Sequence, residues 1–242
     1  MNDDFLSRTR MLLGEKALLK LASSRVAVFG IGGVGGYAVE VLARSGVGAI
    51  DIYDNDVVSA SNVNRQIIAT TSTIGRYKVD VAVERILDIN PNCKAQGFKM
   101  FYVVANADEV DLTQYDYVID CIDTVSAKME LVRRCTKLGV PIICSMGAAN
   151  KLDASVFRVA DISETDVDPL ARIMRKRLRK EGIEHFKCVF STEKPRKPIV
   201  TGEEQADTRP VPASNAFVPA AAGIVLGGEV VMDLVERVEG RG

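Results

Sequence analysis

A chain of 242 residues with 47% hydrophobic and 26% charged residues has ordinary globular composition, which excludes disordered, collagen-like and coiled-coil classes and leaves room for one large domain. Lysine and arginine number 31 against 32 acidic residues, for a net charge of -1 and a pI of about 6.0, so no global cationic field announces a nucleic acid. The five cysteines contain no C-x-x-C pair and the amino terminus carries Asp3 and Asp4 without an apolar core, which excludes a zinc knuckle, a disulfide framework and a signal peptide and points to a cytoplasmic protein.

Over residues 11–21 the positions Leu12, Leu13, Ala17, Leu18 and Leu21 recur at helical spacing and predict an amphipathic leading helix. Residues 26–29 form a short apolar run that stops in glycines, the form of a strand buried on both faces. A helix over 34–44, ended by Gly46, and a strand over 49–53 follow at the spacing of a right-handed parallel crossover. Helices over 75–89 and 126–138 and strands over 117–122 and 141–145 continue the alternation. The pattern predicts an α/β fold: a doubly wound, Rossmann-like, mostly parallel sheet with helices on both faces, followed by a C-terminal extension. Beyond Ala149 the expected elements are a strand over 155–159, a strongly charged helix over 169–180 and a proline-containing surface loop over 185–211. An apolar helix over 215–235 ends the chain. Its uncharged stretch over 216–228 is broken by Pro219 and falls short of the ~20 residues of a spanning helix, so a buried helix and no integral membrane segment are expected.

Gly30, Gly32 and Gly35 spell G-x-G-x-x-G directly between a predicted strand and a predicted helix, the context that makes this pattern informative. The first glycine permits a tight turn, the second lets a phosphate approach the backbone, and the third lets helix and strand pack closely. The helix amino terminus then offers N–H groups and a partial positive charge. The alternative is that these glycines make only a tight turn. Asp54 ends the second strand 19 residues after Gly35, where an acid commonly takes a ribose hydroxyl. A dinucleotide dehydrogenase accounts for all of this, but not for the polar segment that follows. Arg65 is a fork for phosphate oxygens, Lys78 lies near the start of the next helix, and Asp123 lies just past the carboxyl end of a strand, where ligands bind in open α/β sheets. Two cations and a carboxylate suited to Mg²⁺ describe a triphosphate better than a pyrophosphate.

Together Gly30-Ile31-Gly32-Gly33-Val34-Gly35, Asp54-x-Asp56, Ser61-Asn62-Val63-Asn64-Arg65-Gln66, Lys78 and Asp123 resemble the ATP-binding signature of the ubiquitin-activating-enzyme-like adenylating family, in order and spacing as far as about Ala149. The resemblance implies that ATP and Mg²⁺ activate a carboxylate as an acyl-adenylate. It places Asp54 on the ribose, Asn64, Arg65 and Lys78 on the phosphates, and Asp123 at the metal; Arg65, Lys78 and Asp123 carry the catalysis. Gly30, Gly32, Gly33, Gly35, Asp56, Asn62 and Gln66 complete the nucleotide site. It also implies a homodimer and, for some members, a sulfurtransferase partner. Arg8 or Arg10 matches loosely an arginine that reaches the neighbouring subunit's ATP; a solvated arginine is the alternative.

Members that activate ubiquitin-like sulfur carriers usually hold zinc in two C-x-x-C pairs, which this chain lacks. Its second half instead carries Gly147-Ala148-Ala149-Asn150-Lys151-Leu152-Asp153, Val159-Ala160-Asp161-Ile162-Ser163, Asp168-Pro169-Leu170-Ala171 and Cys188-Val189-Phe190-Ser191-Thr192-Glu193. These resemble the branch that acts on tRNA carrying threonylcarbamoyladenosine and closes that side chain into a cyclic form. The implied organisation is a single adenylating domain over 1–242, with ATP bound by 1–150 and the tRNA substrate by 151–242. The alternatives are adenylation of the carboxyl terminus of a ubiquitin-like sulfur-carrier protein and a non-catalytic nucleotide sensor.

Charge is unevenly placed. Between Arg172 and Lys197 stand ten basic residues against three glutamates. Arg172, Arg175, Lys176, Arg177, Arg179 and Lys180 fall on the predicted charged helix, a local field able to hold a phosphate backbone; an exposed helix without a partner is the bland alternative. Cys188, beside basic residues, reads either as an activated thiol or, by the habit of its residue type, as a small buried side chain. His185, the single histidine, has no companions for a metal site.

Overall fold

The apolar runs assemble into one sheet. A computed structural model describes residues 5–199 and 212–239. In chain order these form α1 (Ser7–Leu13), α2 (Glu15–Ser23), β1 (Arg25–Phe29), α3 (Gly35–Arg44), β2 (Ala49–Tyr53), α4 (Lys78–Ile89), β3 (Lys94–Phe98) and β4 (Tyr117–Asp120). There follow α5 (Val125–Leu138), β5 (Ile142–Ser145), β6 (Phe157–Asp161), α6 (Pro169–Arg179), β7 (Lys187–Ser191) and α7 (Val218–Glu239). The sheet has seven strands in the order β3-β2-β1-β4-β5-β7-β6. All neighbours are parallel except β6, which runs antiparallel to β7 at the edge. Chain order reverses between β1 and β4, which opens a crevice at their carboxyl ends.

Side chains alternate across a strand, so each strand feeds two cores. Val26, Val28, Ile50, Ile52, Ile119 and Val189 pack under α2, α3, α4 and α7. Ala27, Phe29, Val118, Cys144, Cys188 and Phe190 pack under α5 and α6. Burial on both faces is why the central strands read as uninterrupted apolar runs.

Three expectations shift, and one strand, β3, is unanticipated. Gly14, with φ 81, breaks the leading helix into α1 and α2, and α1 buries none of its residues, so Met11 and Leu12 face outward. β3 carries no apolar run because it is a largely exposed edge strand. β7 lies inside the expected loop over 185–211: Cys188, Val189 and Phe190 are buried between β5 and β6, and the prolines of that segment follow the strand. Residues 200–211 of the loop lie outside the described residues. The first strand of the extension, β6, sits two residues later than expected, at Phe157–Asp161.

By length and composition α7 could cross a bilayer, but 61% of the qualifying stretch is buried in the fold. It crosses α3 at close range: a Cβ on Gly223 would stand 2.2 Å from the Val34 carbonyl oxygen, and one on Gly227 would stand 2.8 Å from the Val41 Cβ. Small residues are what allow two helix backbones to approach this far. Lys187 Nζ donates to Glu229 at 2.6 Å and to Asp233 at 2.7 Å, while the Tyr117 hydroxyl donates to Asp233 at 2.6 Å. These bonds fasten α7 to β7 and β4.

Candidate active site

Five parallel strands end at one cleft of about 490 Å³, within the range of small-molecule sites. Met100, Phe101 and Tyr102 follow β3, Asp54 and Asp56 follow β2, and Gly30, Gly32 and Gly33 follow β1. Cys121 and Asp123 follow β4, and Ala148 and Ala149 follow β5. Asn62, Arg65, Gln66 and Lys78 line the same space, as do Pro212, Ser214 and Pro219.

The glycine turn is sterically specified. Gly30 has φ 89, and a Cβ there would lie 2.7 Å from the Cys121 carbonyl oxygen. A Cβ on Gly35 would lie 1.8 Å from the Gly30 carbonyl oxygen, whereas one on Gly32 would meet nothing within 4 Å. The second glycine therefore faces open space and the third packs α3 against the end of β1. Gly35 does not line the cleft.

The charged groups are held from behind. Asp54 Oδ2 accepts the Ile31 N–H at 2.7 Å and Oδ1 accepts the Asp56 N–H at 2.8 Å. Burial pushes its carboxyl above the usual carboxylate range, against the opposing pull of Lys78 and these two amides. Lys78 is buried at the start of α4, donates from Nζ to Asp56 Oδ2 at 2.6 Å and lies 4.0 Å from Asp54 Oδ2. Arg65 Nη1 donates to the Ser61 carbonyl at 2.8 Å and to Asn64 Oδ1 at 2.9 Å. Asn64 in turn donates to the Ser214 carbonyl at 3.2 Å. Asn64 thus holds Arg65 and the 212–215 segment and does not itself line the cleft. Asn62 Oδ1 accepts the Ser59 N–H at 3.1 Å. Gln66 is buried, and its Oε1 has no protein partner. Asp123 is exposed at the cleft edge. Behind it Asp120 accepts the Ile122 N–H at 3.1 Å and faces Lys128 Nζ at 2.9 Å, both side chains fully buried.

A second concavity, of about 480 Å³, is lined by Arg172, Arg175, Lys176, Arg179 and Lys180. Ala171, Met174 and Leu178 seat α6 on the sheet, which turns the cationic side outward. The helix separates the six expected cations. Arg177 lies outside the concavity, and Arg175 Nη1 donates to the Thr165 carbonyl at 2.7 Å and to the Thr165 hydroxyl oxygen, so Arg175 also docks the helix.

Cys188 is fully buried, and burial pushes its thiol up to about 12. Cys121 lines the cleft beside Gly30, its thiol likewise pushed up to about 12 by burial. His185 is paired with Asp161 at 3.1 Å, Arg10 with Glu15 at 2.7 Å, and neither Arg8 nor Arg10 lines the cleft of its own chain. Sequence reasoning missed the wall made by Met100, Phe101 and Tyr102 and the rim of Ala148, Ala149, Pro212, Ser214 and Pro219. Ala148 and Ala149 carried a usable signal, since they follow a predicted strand at its ligand-binding end.

The model of the ThiF family matches residues 6–231. The tRNA threonylcarbamoyladenosine dehydratase of Bacillus subtilis is 46% identical over 244 residues, covering 96% of this chain and 95% of that protein. The crystal structure of the Escherichia coli tRNA N6-threonylcarbamoyladenosine dehydratase in complex with ATP superposes with a TM-score of 0.85 at 34% identity, covering 98% of this chain and 96% of that one. The AMP complex of the same enzyme gives 0.87 at 34%, covering 96% and 94%.

Proposed function

The chain belongs to the ThiF family, and from that premise we propose that it is an ATP-dependent enzyme that dehydrates the threonylcarbamoyl group on a tRNA adenosine through a carboxyl-adenylate. The observation that carries the reading is the convergence of Asp54, Arg65, Lys78 and Asp123 on one cleft, in a chain whose relative of matching length is named for that reaction.

In this reading ATP lies across the strand ends. Asp54 takes the ribose, the open backbone at Gly32 and the α3 amino terminus take phosphate oxygens, and Arg65 and Lys78 neutralise phosphate charge. Gln66 completes the cleft wall beside Arg65. Asn64 acts one step back, by orienting Arg65. Asp123 suits Mg²⁺, because this ion is usually bound by one or two carboxylates together with substrate phosphates. Among the described residues no larger cluster of metal-binding side chains exists. When bound, the ion would offset charge on the phosphates.

A free carboxylate is a poor electrophile. The threonyl carboxylate therefore attacks the α-phosphorus of ATP and pyrophosphate leaves; Arg65 and Lys78 stabilise charge developing on the phosphate oxygens. The substrate's own urea group then attacks the acyl carbon and AMP leaves, carrying one former carboxylate oxygen. Ring closure within one molecule has effective molarities of up to about 10⁵ to 10⁸ M, so no nucleophile from the protein is needed and the buried Cys188 fits a structural place. The concavity on α6 holds the RNA phosphate backbone through Arg172, Lys176, Arg179 and Lys180.

The reading treats 1–242 as one adenylating domain, with ATP on 1–150 and RNA on 151–242. By family likeness it acts as a cytoplasmic homodimer, with a sulfurtransferase as a further partner. Its test is mass spectrometry of tRNA bearing threonylcarbamoyladenosine after incubation with the enzyme and ATP. A nucleoside lighter by one water supports the reading; an unchanged nucleoside overturns it.

A further inference from the structure

Among the described residues, two that are not glycine adopt left-handed backbone: Asn150, with φ 61, and Val167, with φ 39. Each immediately precedes one partner of a fully buried ion pair, Lys151 and Asp168, whose Nζ and Oδ2 are 3.1 Å apart. A β-branched residue in this region is a genuine outlier. Such strain persists only where the surroundings over-determine it, and it gathers at active sites and ligand clamps.

The over-determination is visible. Asp168 Oδ1 accepts the Leu170 N–H at 2.9 Å and the Ala171 N–H at 3.0 Å, which caps α6. Its Oδ2 accepts the Gly147 N–H at 3.2 Å, and Lys151 Nζ donates to the Gly147 carbonyl at 2.5 Å. On the other side, Asn150 exchanges backbone and side-chain bonds of 2.8 Å with Ala213, and Asn215 donates to the Lys151 carbonyl at 2.9 Å. One buried joint therefore meets the amino terminus of the cationic helix, the β5 rim of the cleft at Ala148 and Ala149, and the wall containing Ser214. A buried ion pair is weak evidence for stability, since apolar side chains of similar volume hold as well. What this one supplies is a fixed relation between two surfaces.

We propose that Lys151 and Asp168 are positioning residues that set the cationic face of α6 against the β5 end of the cleft, so that an RNA held on α6 presents its carboxylate to the nucleotide. The inference rests on the function proposed above. It separates binding from chemistry: Lys151 and Asp168 line neither the cleft nor the concavity on α6, yet fix the geometry between the two.

The test measures Lys151→Met and Gly147→Ala beside the wild type. The second leaves both charges in place and pushes a Cβ to 3.1 Å from Asp168 Oδ2. With tRNA bearing threonylcarbamoyladenosine, kcat should fall by ~10-fold or more in Lys151→Met, because small misplacements of reacting groups cost up to ~10²-fold. Gly147→Ala should show a smaller loss in the same direction. ATP affinity by calorimetry and tRNA affinity by filter binding should stay within about twofold, a split that general unfolding would not produce. If Lys151→Met does not fold, the double variant Lys151→Met with Asp168→Asn, neutral at both positions, replaces it. Unchanged kcat, or kcat lost only in step with ATP or tRNA affinity, overturns the joint. A wild type that does not convert the tRNA contradicts instead the functional reading beneath it.

Discussion

Asp54 Oδ2 accepts the backbone N–H of Ile31 at 2.7 Å, so the carboxylate that ends β2 is bonded to the glycine turn that ends β1. Two strand ends are thereby tied together, and the carboxylate proposed to hold the ribose is fixed to the glycine turn proposed to meet the phosphates.

Burial of this carboxylate, acting against the bond to Ile31, gives a pH dependence. Burial raises the Asp54 carboxyl in the folded chain. Between the ordinary value of ~3.9 and that raised value, the folded state holds more protons than the unfolded state, so this group's contribution to stability falls as pH rises through the window. Ribose binding by the ionised form is lost in the opposite sense, as pH falls through the raised value. KM for ATP should therefore climb on acidification above the usual carboxylate range. Asp54→Ala should raise KM about tenfold, the worth of one hydrogen bond to a charged group, and remove that limb. A variant that keeps the wild-type acid limb would contradict the assignment.

Arg65 and Asp123 reach the cleft from partly or fully exposed positions. Arg65→Ala and Asp123→Ala should cut turnover by ~10²-fold or more, the usual cost of losing one electrostatic stabiliser. Unfolding free energies should shift by no more than the ~0.5 kcal/mol typical of surface changes. Lys78→Ala should lose both turnover and stability, because Asp54 and Asp56 then face each other without their shared cation. Equal stability losses in all three variants would argue against this division.

On α6 the substitutions should sort by position. Reversing Lys176 and Arg179 to Glu should weaken tRNA binding and flatten its salt dependence, while Arg177→Glu, outside the concavity, should do less. Arg175→Ala should lower stability as well, because its guanidinium docks the helix on Thr165. Filter binding across a salt series reads the first two effects, and thermal unfolding reads the third.

Gly227→Ala places a Cβ 2.8 Å from Val41 and 3.0 Å from the Ala38 carbonyl oxygen. Overpacking of this kind costs about 1 to 3 kcal/mol. Since Pro219 of the same helix lies against Gly33, ATP affinity should drop together with the unfolding midpoint. Cys188→Ala is the contrasting case: a slightly less stable enzyme with wild-type turnover.

The central strands were legible because burial on both faces writes them as apolar runs, and the site was legible where β1, β2 and β4 end in Gly30, Asp54 and Asp123. β3 was not, because the edge strand Lys94–Phe98 buries little and shows no apolar pattern. β7 was masked by its neighbours: Cys188, Val189 and Phe190 formed an apolar run, but the prolines and charges beside it suggested a loop. Asn64 carried the right motif, yet its side chain serves Arg65 and Ser214, a distinction that depends on contacts 150 residues apart. Lys151 and Asp168 stand in segments that carry the family resemblance, but their pairing was not legible, since only the fold brings these charges together.

The central claim is that a carboxyl-adenylate lies on the path. The most direct measurement supplies tRNA whose threonylcarbamoyl carboxylate carries heavy oxygen, together with ordinary ATP, and reads AMP by mass spectrometry. The account predicts one heavy oxygen in AMP for each cyclised nucleoside. Cyclised product formed alongside unlabelled AMP would contradict it.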